Sequence, residues 1–471
     1  MKARRWLPLT LILFLTALSL MFLASLRTAW QGGKQTPLLK PQTVAFVGVN
    51  VVPMDRERVL TGQTVVVKEG RIAALGPADQ TAVPKGALRV DGQGKYLLPG
   101  LADMHVHLED DEAVNQAMLQ LFVANGVTTI LNLYGTPRHL ELRRRLARND
   151  IPGPTLYTSG PFISDAPNWS PTPEEAERLV VEQKRAGYDF IKIHGDFSRE
   201  AYRRLFVAAR REGIRVIGHA PRNLSLEAMF EERQDAVAHA EEFLETYFFR
   251  NVPAELKTAD LETKKRYMNE QIKKIPEVAR ATANAGLWMI PSLSIYSGIA
   301  AQLRDLDALL RRPEMQYLPN RIAAEWQPAR NRYTNRFSKD RIDVFELQTI
   351  FSLNLVKSFH EAGVKMLAGT DTPVPCAVPG FSLHDELKGL VAAGLSPYEA
   401  LRAATINAAE FLGALEQSGT VAVGKRADLI LLDSDPLKDI RNTTKLTGVM
   451  VGGSWLPETE LRRMLDKLIA R

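Results

Sequence analysis

Two histidines, two residues apart, end the apolar run Leu97-Leu98-Pro99-Gly100-Leu101-Ala102-Asp103-Met104-His105-Val106-His107. In a β-strand, residues i and i+2 point to the same face, so His105 and His107 aim two imidazoles into one small volume. That is an arrangement for holding a metal ion. A bare His-x-His is more often two unrelated polar residues, but this chain supplies further candidate ligands in order. Lys192 lies in Asp189-Phe190-Ile191-Lys192-Ile193-His194, and His219 ends Val216-Ile217-Gly218-His219. His239 ends Ala236-Val237-Ala238-His239, and Asp371 follows Leu367-Ala368-Gly369-Thr370. Imidazole nitrogen and carboxylate oxygen suit zinc and its neighbours. Taken singly, Lys192 reads as a surface lysine, His219 as a hydrogen-bonded core histidine and Asp371 as a turn cap. Six such residues at ordered strand ends read as one metal centre.

Strands must bring these residues together. Over residues 97–412 the pattern alternates strand-like and helix-like stretches, with strands expected at 100–108, 127–135, 154–160, 189–195, 215–220, 236–243, 287–295 and 365–371. Helices are expected between them, for example over Pro173 to Ala186. After the eighth strand, Ser396-Pro397-Tyr398-Glu399 is a capping box with proline at the first helical position, opening a helical run over 400–412. Eight β/α repeats fit an α/β fold of the (β/α)8 barrel type, in which catalytic groups come from the C-terminal ends of the strands. A doubly wound open sheet is the alternative. The connections 244–286 and 297–364 are long, and charged helical stretches are expected at 304–312 and 321–336. Such insertions either cover an active site or decorate the surface. Short β-rich runs flank the barrel, among them Thr64-Val65-Val66-Val67 and Arg71-Ile72-Ala73-Ala74-Leu75 around a Glu69-Gly70 turn, and Asp428-Leu429-Ile430-Leu431-Leu432 near the other end. Residues 43–96 and 413–460 are therefore expected to form one small β-sandwich domain built from both chain ends.

The chain of 471 residues carries a net charge of +6. Lys2, Arg4, Arg5, Arg27, Lys34 and Lys40 account for the whole excess, because residues 1–40 contain no acid. No basic body remains to suggest nucleic acid as a partner. The single cysteine, Cys376, excludes an intrachain disulfide. Three basic residues precede an uncharged apolar run over residues 7–26, long enough to cross a bilayer as a helix. The run exceeds the usual apolar core of a cleaved signal, and Leu26-Arg27-Thr28 is a poor cleavage site. Residues 1–30 are expected to form an uncleaved signal anchor, with cleavage and secretion as the alternative, and residues 31–42 a linker. The positive end stays in the cytoplasm and the body lies outside, on the periplasmic side. Self-association is left open.

The order His-x-His on strand one, lysine on strand four, histidines on strands five and six and aspartate on strand eight resembles the amidohydrolase superfamily. The likeness runs over about 43–456 and includes Leu98-Pro99-Gly100-Leu101, Ala403-Ala404-Thr405-Ile406-Asn407-Ala408-Ala409 and Gly419-Thr420-Val421-Ala422-Val423-Gly424-Lys425-Arg426-Ala427-Asp428-Leu429. The chain is most similar to the imidazolonepropionase-like and Xaa-Pro dipeptidase-like group. Phe190-Ile191-Lys192-Ile193 points to its two-metal members, since imidazolonepropionase works with one metal and lacks the lysine.

The resemblance implies two divalent ions, with zinc expected, bridged by a carboxylated Lys192. Burial favours the neutral, nucleophilic amine that this modification needs. By the same resemblance His105, His107 and Asp371 hold one ion, His219 and His239 hold the other, and Asp371 moves the proton. The implied activity is hydrolysis of a C–N bond in an amide, a cyclic amide or a small peptide, on a small-molecule or dipeptide substrate. Hydrolytic deamination or lactone hydrolysis would use the same site. A non-catalytic scaffold of this fold should have lost ligands that this chain keeps. Outside the signature, His194 shares a face with Lys192, Arg222 could meet an anionic group, and His384 follows strand eight. All three are candidate substrate-binding residues, each with a surface role as the alternative. His139 and His360 read as helix residues without a role.

Overall fold

The computed structural model describes residues 42–164 and 169–469. The anchor expected over 1–30 and all but the last residue of the expected linker lie outside the described residues. No helix among the described residues is long and apolar enough to cross a membrane.

Strands β1 (Val44–Val51), β2 (Leu60–Lys68), β3 (Arg71–Pro77), β4 (Leu88–Asp91) and β5 (Tyr96–Pro99) come first. Then follow β6 (Leu101–Val106), β7 (Val127–Asn132), β8 (Thr155–Thr158), β9 (Phe190–Ile193), β10 (Arg215–Gly218), β11 (Ala236–Ala238) and β12 (Trp288–Ile290). The chain closes with β13 (Leu429–Leu432), β14 (Leu446–Val451) and β15 (Ser454–Pro457). The hairpin between β2 and β3 turns on Glu69 and Gly70, at φ 53° and 74°, the left-handed pair that a two-residue turn requires.

The outer strands form one continuous sheet in the order β15-β14-β13-β5-β1-β2-β3, with β4 added beside β1. The two chain ends meet where β5 runs antiparallel to β13, pairing Leu97 with Leu431 and Leu98 with Ile430. Hydrogen bonding thus joins into one sheet what the sequence suggested as two layers. The sheet curls: Phe46 of β1 and Trp455 of β15, far apart in strand order, pack edge to face with centroids 5.0 Å apart. Val44, Val65, Leu97, Leu429, Leu431 and Met450 share that apolar core.

Strands β6 to β12 form the barrel, all in parallel pairs. Their residues are almost all buried, as expected of parallel strands covered on both faces. Two seams are irregular. β8 and β9 join through single bridges, Ser159 to Phe190 and Ile163 to Ile193. The eighth position, expected at 365–371, is an irregular segment held by bridges from Met366 to Met289 and from Thr372 to Val106. Leu367 N donates to Met289 O and Met104 N to Ala368 O, both at 2.8 Å, which closes the ring. A cluster containing Met104, Leu131, Phe190, Ile217, Ala236, Ile290 and Leu367 draws on seven strand positions and fills the interior. Phe411 stacks on Phe190 at 5.5 Å within the same cluster.

The strands are shorter than their apolar runs. The sixth stops at Ala238 because a helix starts at Glu241, and the seventh stops at Ile290 because a helix starts at Ser294. The helix Pro173–Ala186 matches its expected span, opened by the Thr172/Glu175 capping box and closed at Gly187 with φ 93°. The capping box at Ser396 and Glu399 also forms, with amide-to-side-chain distances of 2.7 and 3.2 Å. The run expected over 400–412 breaks into Pro397–Ala403 and Ile406–Phe411. Thr405 Oγ1 bonds back to Leu401 O at 2.6 Å, a competition that bends helices. The stretch 321–336 likewise splits into Asn320–Trp326 and Arg332–Arg336, with Pro328 between them.

Glu386, on the helix Phe381–Ala392, is fully buried and accepts Leu293 N at 2.8 Å, tying this helix to the loop after β12. Burial pushes its carboxyl up from about 4.5 to about 8, against that hydrogen bond. A raised carboxyl binds its proton more tightly in the folded state, so its stabilising contribution is complete below about pH 4.5 and is lost as pH rises through about 8. Glu386→Gln is expected to remove this loss. Denaturant unfolding at pH 5 and pH 9 should show the variant gaining on the parent at the higher pH, and equal gaps at both would refute the assignment.

Candidate metal centre

The barrel places the expected ligands at the C-terminal ends of its strands. His105 lies at the end of β6 and His107 just beyond it, and their Nε2 atoms lie 3.2 Å apart. Asp371 Oδ1 is 3.2 Å from His105 Nε2 and 2.8 Å from His107 Nε2. Three potential ligand atoms thus meet at one point. The imidazole of His239 packs against His105 with centroids 4.6 Å apart, and His219 lies 4.9 Å from His239. One ligand atom each from His105, His239 and Asp371 falls within a span of 4.8 Å. His239 and Asp371 both have left-handed backbone, at φ 77° and 60°, which is costly for residues with a side chain and is tolerated where the site dictates it. Gly369 lets the eighth segment come close: a Cβ there would meet His105 N at 2.9 Å.

The electrostatics suit metal ligation. Burial lowers His105 and His219 well below the ordinary histidine range and His239 to about 3, and the charge of Lys192 depresses all three further. These imidazoles are neutral at pH 7 and can donate a lone pair. Burial pushes Asp371 up, but His239, His107 and Lys192 outweigh it and hold the carboxyl below its usual range. Lys192 in β9 has no exposed surface, and its Nζ has no hydrogen-bond partner. Burial lowers it from 10.5 to about 8, against the pull of Asp371 and Glu242. Nδ1 of His105 and of His239 are also buried without hydrogen-bond partners. Buried orphan donors and acceptors around a carboxylate fit a site that a cation completes.

Several contributors were missed in the sequence. Asp103 is fully buried and accepts Thr370 Oγ1 at 2.7 Å, Thr370 N at 3.1 Å and His105 N at 3.3 Å. It fastens strand one to the eighth segment directly behind two ligands. Burial raises it to about 7 despite those hydrogen bonds. Glu242, also fully buried, lies 2.6 Å from His219 Nδ1, and Glu241 lies 3.7 Å from His239 Nδ1. Carboxylates beside the second nitrogen of a ligating histidine orient the ring and fix its tautomer.

A cavity of about 800 Å³ opens over the cluster. His107, His194, His219, His239 and Asp371 line it with Tyr134, Phe162 and Tyr296, and Arg332, Tyr333, Arg336 and Phe337 of the long insertion complete its wall. His194 faces this cavity, stacked on Phe162 at 5.1 Å and edge-on to His219 at 4.3 Å. Arg222 also lines it, but its guanidinium is held by Glu242 at 2.7 Å and Glu245 at 3.1 Å, so its charge is already matched. The expectation for His384 is corrected. It lies on the buried side of the helix Phe381–Ala392, within reach of Thr443 Oγ1 at 2.9 Å and Asn125 O at 3.2 Å, and does not line the cavity. Its helix turns it away from the barrel mouth, and burial lowers it to about 4. His139 bonds to Asn132 and the Glu109 carbonyl, and His360 pairs with Glu399 at 3.0 Å.

Residues 96–456 match the profile of the amidohydrolase family. The chain belongs to that family. It is 26% identical over 202 residues to an adenine deaminase of Staphylothermus marinus, covering 39% of this chain and 33% of that protein. It is 23% identical over 428 residues to an imidazolonepropionase of a Geobacillus species, covering 83% of this chain and 90% of the relative. A crystal structure of a Xaa-Pro dipeptidase with methionine bound in its active site superposes with a TM-score of 0.65 at 17% identity, covering 88% of this chain and 100% of the other, and shows the shared fold. The chain spans about a third or less of the length of the adenine deaminases it matches first.

The Asp103 link yields a test of positioning. Asp103→Ala removes the acceptor for Thr370 and for the His105 amide without touching a ligand side chain. Metal affinity, read by competition with a chromogenic chelator, should fall by about 10- to 100-fold, the usual cost of losing an orienting partner. Unchanged affinity in a folded variant would show that the ligands hold their places without it.

Proposed function

We propose that this amidohydrolase hydrolyses a C–N bond in an amide, a cyclic amide or a small peptide, using two divalent ions, with zinc the expected metal. The observation that carries this reading is the meeting of His105, His107 and Asp371 within 3.2 Å, with the amine of Lys192 buried and unpaired nearby. His105, His107 and Asp371 would hold one ion and His219 and His239 the other. Lys192, whose burial shifts its amine towards the neutral form, would take up carbon dioxide with release of a proton, and the resulting carbamate would supply oxygen ligands. Bound divalent ions polarise a carbonyl and bring the pKa of water to about 7.

The chain's own residues supply the remainder. Asp371 is held ionised, so it accepts the proton of the attacking water and delivers it to the leaving nitrogen. Glu242, 2.6 Å from His219 Nδ1, keeps that imidazole oriented. Phe162 and Tyr134 give the cavity aromatic surface against which a substrate can pack. The partial match to adenine deaminases favours a second reading, hydrolytic deamination of a ring amidine in the same site. Assaying ammonia beside amine release distinguishes the two.

Purified protein is expected to hold close to two divalent ions per chain. Asp371→Asn should lower turnover by about 10²- to 10⁴-fold, the usual size of a general acid–base contribution, with metal largely kept. Lys192→Ala should lose both metal and activity, and a short-chain carboxylic acid should restore part of each. Normal turnover in Asp371→Asn would exclude the mechanism, whatever the metal content.

The basic, then apolar, N-terminal stretch supports a second proposal, that the body is anchored on the periplasmic side of a membrane. Full-length protein should sediment with membranes and resist high salt, whereas a chain starting near Gln42 should be soluble and active. Intact full-length protein released by a salt wash would exclude the anchor, and a mature N-terminus beginning after residue 24 would show cleavage and secretion.

A further inference from the structure

A second chamber of about 380 Å³ adjoins the catalytic cavity. Both long insertions build it: Leu244, Phe249, Leu256 and Met268 come from 244–286, and Val344 and Leu347 from the helix Ile342–Glu361. Three polar side chains, Glu245, Arg341 and Gln348, line both spaces and so form their common boundary. Oε1 of Gln348, at that boundary, is buried with no hydrogen-bond partner. Arg341 is exposed and rests over the Phe345 ring at 5.9 Å, and no carboxylate among the described residues pairs with it. Besides the Tyr267 phenol, the chamber's remaining ionisable groups are Arg250, Lys257 and Lys264, all cationic, while Glu245 is matched by Arg222 at 3.1 Å. An apolar wall with unmatched positive charge at its edge rejects a cationic occupant and accepts a neutral or acidic apolar one.

We propose that this chamber receives the apolar arm of the substrate. The compound cleaved is then an amide that carries a long alkyl or aryl arm. Its carbonyl sits at the histidine cluster, and its arm passes Arg341 and Gln348 into the chamber. This inference rests on the hydrolase reading above and gives it a substrate class. A cavity for the reacting group alone would not need a second apolar space built from both insertions.

The test uses straight-chain hydroxamic acids from acetohydroxamate to dodecanohydroxamate, titrated calorimetrically into zinc-loaded protein. The hydroxamate head anchors at the metal centre, so chain length reports the chamber. Affinity should rise about fourfold per added methylene (about 0.8 kcal/mol each) and level off once the chamber is full. Val344→Trp, which narrows the chamber, should make that rise level off at a shorter chain while leaving acetohydroxamate binding unchanged. Leu256→Trp narrows it from the opposite insertion and should act likewise. Acetohydroxamate affinity also reports whether either variant is folded. Affinity independent of length would overturn the chamber assignment and leave the hydrolase reading intact. A rise that both tryptophan variants leave unchanged would place the arm elsewhere and equally overturn it. Failure of every hydroxamate to bind would remove the metal-dependent reading and this inference together.

Discussion

An amine with no exposed surface and no partner must be kept neutral or be neutralised, and the charges of this barrel are arranged around that requirement. Taking an ion out of water costs on the order of several kcal/mol even in relaxed protein. Lys192 meets the cost partly by a lowered pKa and partly through the carboxylates of Asp371 and Glu242. Glu242 is itself fully buried and is balanced by Arg222, which reaches the cavity surface. Sign alternates from the barrel interior outwards: amine, carboxylate, guanidinium. The histidines fit between these groups because burial keeps them uncharged. Each member depends on its neighbours, so polar residues of the floor cannot be exchanged singly without leaving an uncompensated buried group.

The part of this arrangement legible in the sequence was the part written in strand order. A barrel strand is an apolar run that ends in a polar residue at the mouth, and the runs before His105, His219 and His239 have that form. The eighth position was legible in place but not in shape. Gly369, Thr370 and the left-handed Asp371 make an irregular segment, and its support comes from Asp103, a residue that reads in sequence as a lone acid inside a strand. The same limit applies to Glu242. Its value lies in reaching His219, which belongs to a different strand, and no spacing rule connects the two. His384 misled for the opposite reason. Nearness in sequence to Asp371 suggested the cavity, but the helix face on which it lies is turned to Thr443 and the Asn125 carbonyl.

Apolar periodicity found the elements and missed how they end. Strands six and seven end short of their expected limits because helices begin at Glu241 and Ser294. Helices were read too long where Thr405 or Pro328 breaks them from within. The insertions were legible only as charge and helical tendency. Their shared chamber exists because segments distant in the chain face each other, which no local pattern encodes.

The pairing of β5 with β13 bears on the order in which the molecule can be made. Leu97 precedes the entire barrel and Leu431 follows it, so the sheet that joins them cannot close until the last ligand, Asp371, has been synthesised. The early strands β1 to β3 can form their hairpins as they emerge, but one edge of that partial sheet stays open through synthesis of everything between. An open edge is a template for wrong pairing. A late-closing clasp of this kind leaves the nascent chain dependent on whatever shields that edge until β13 arrives.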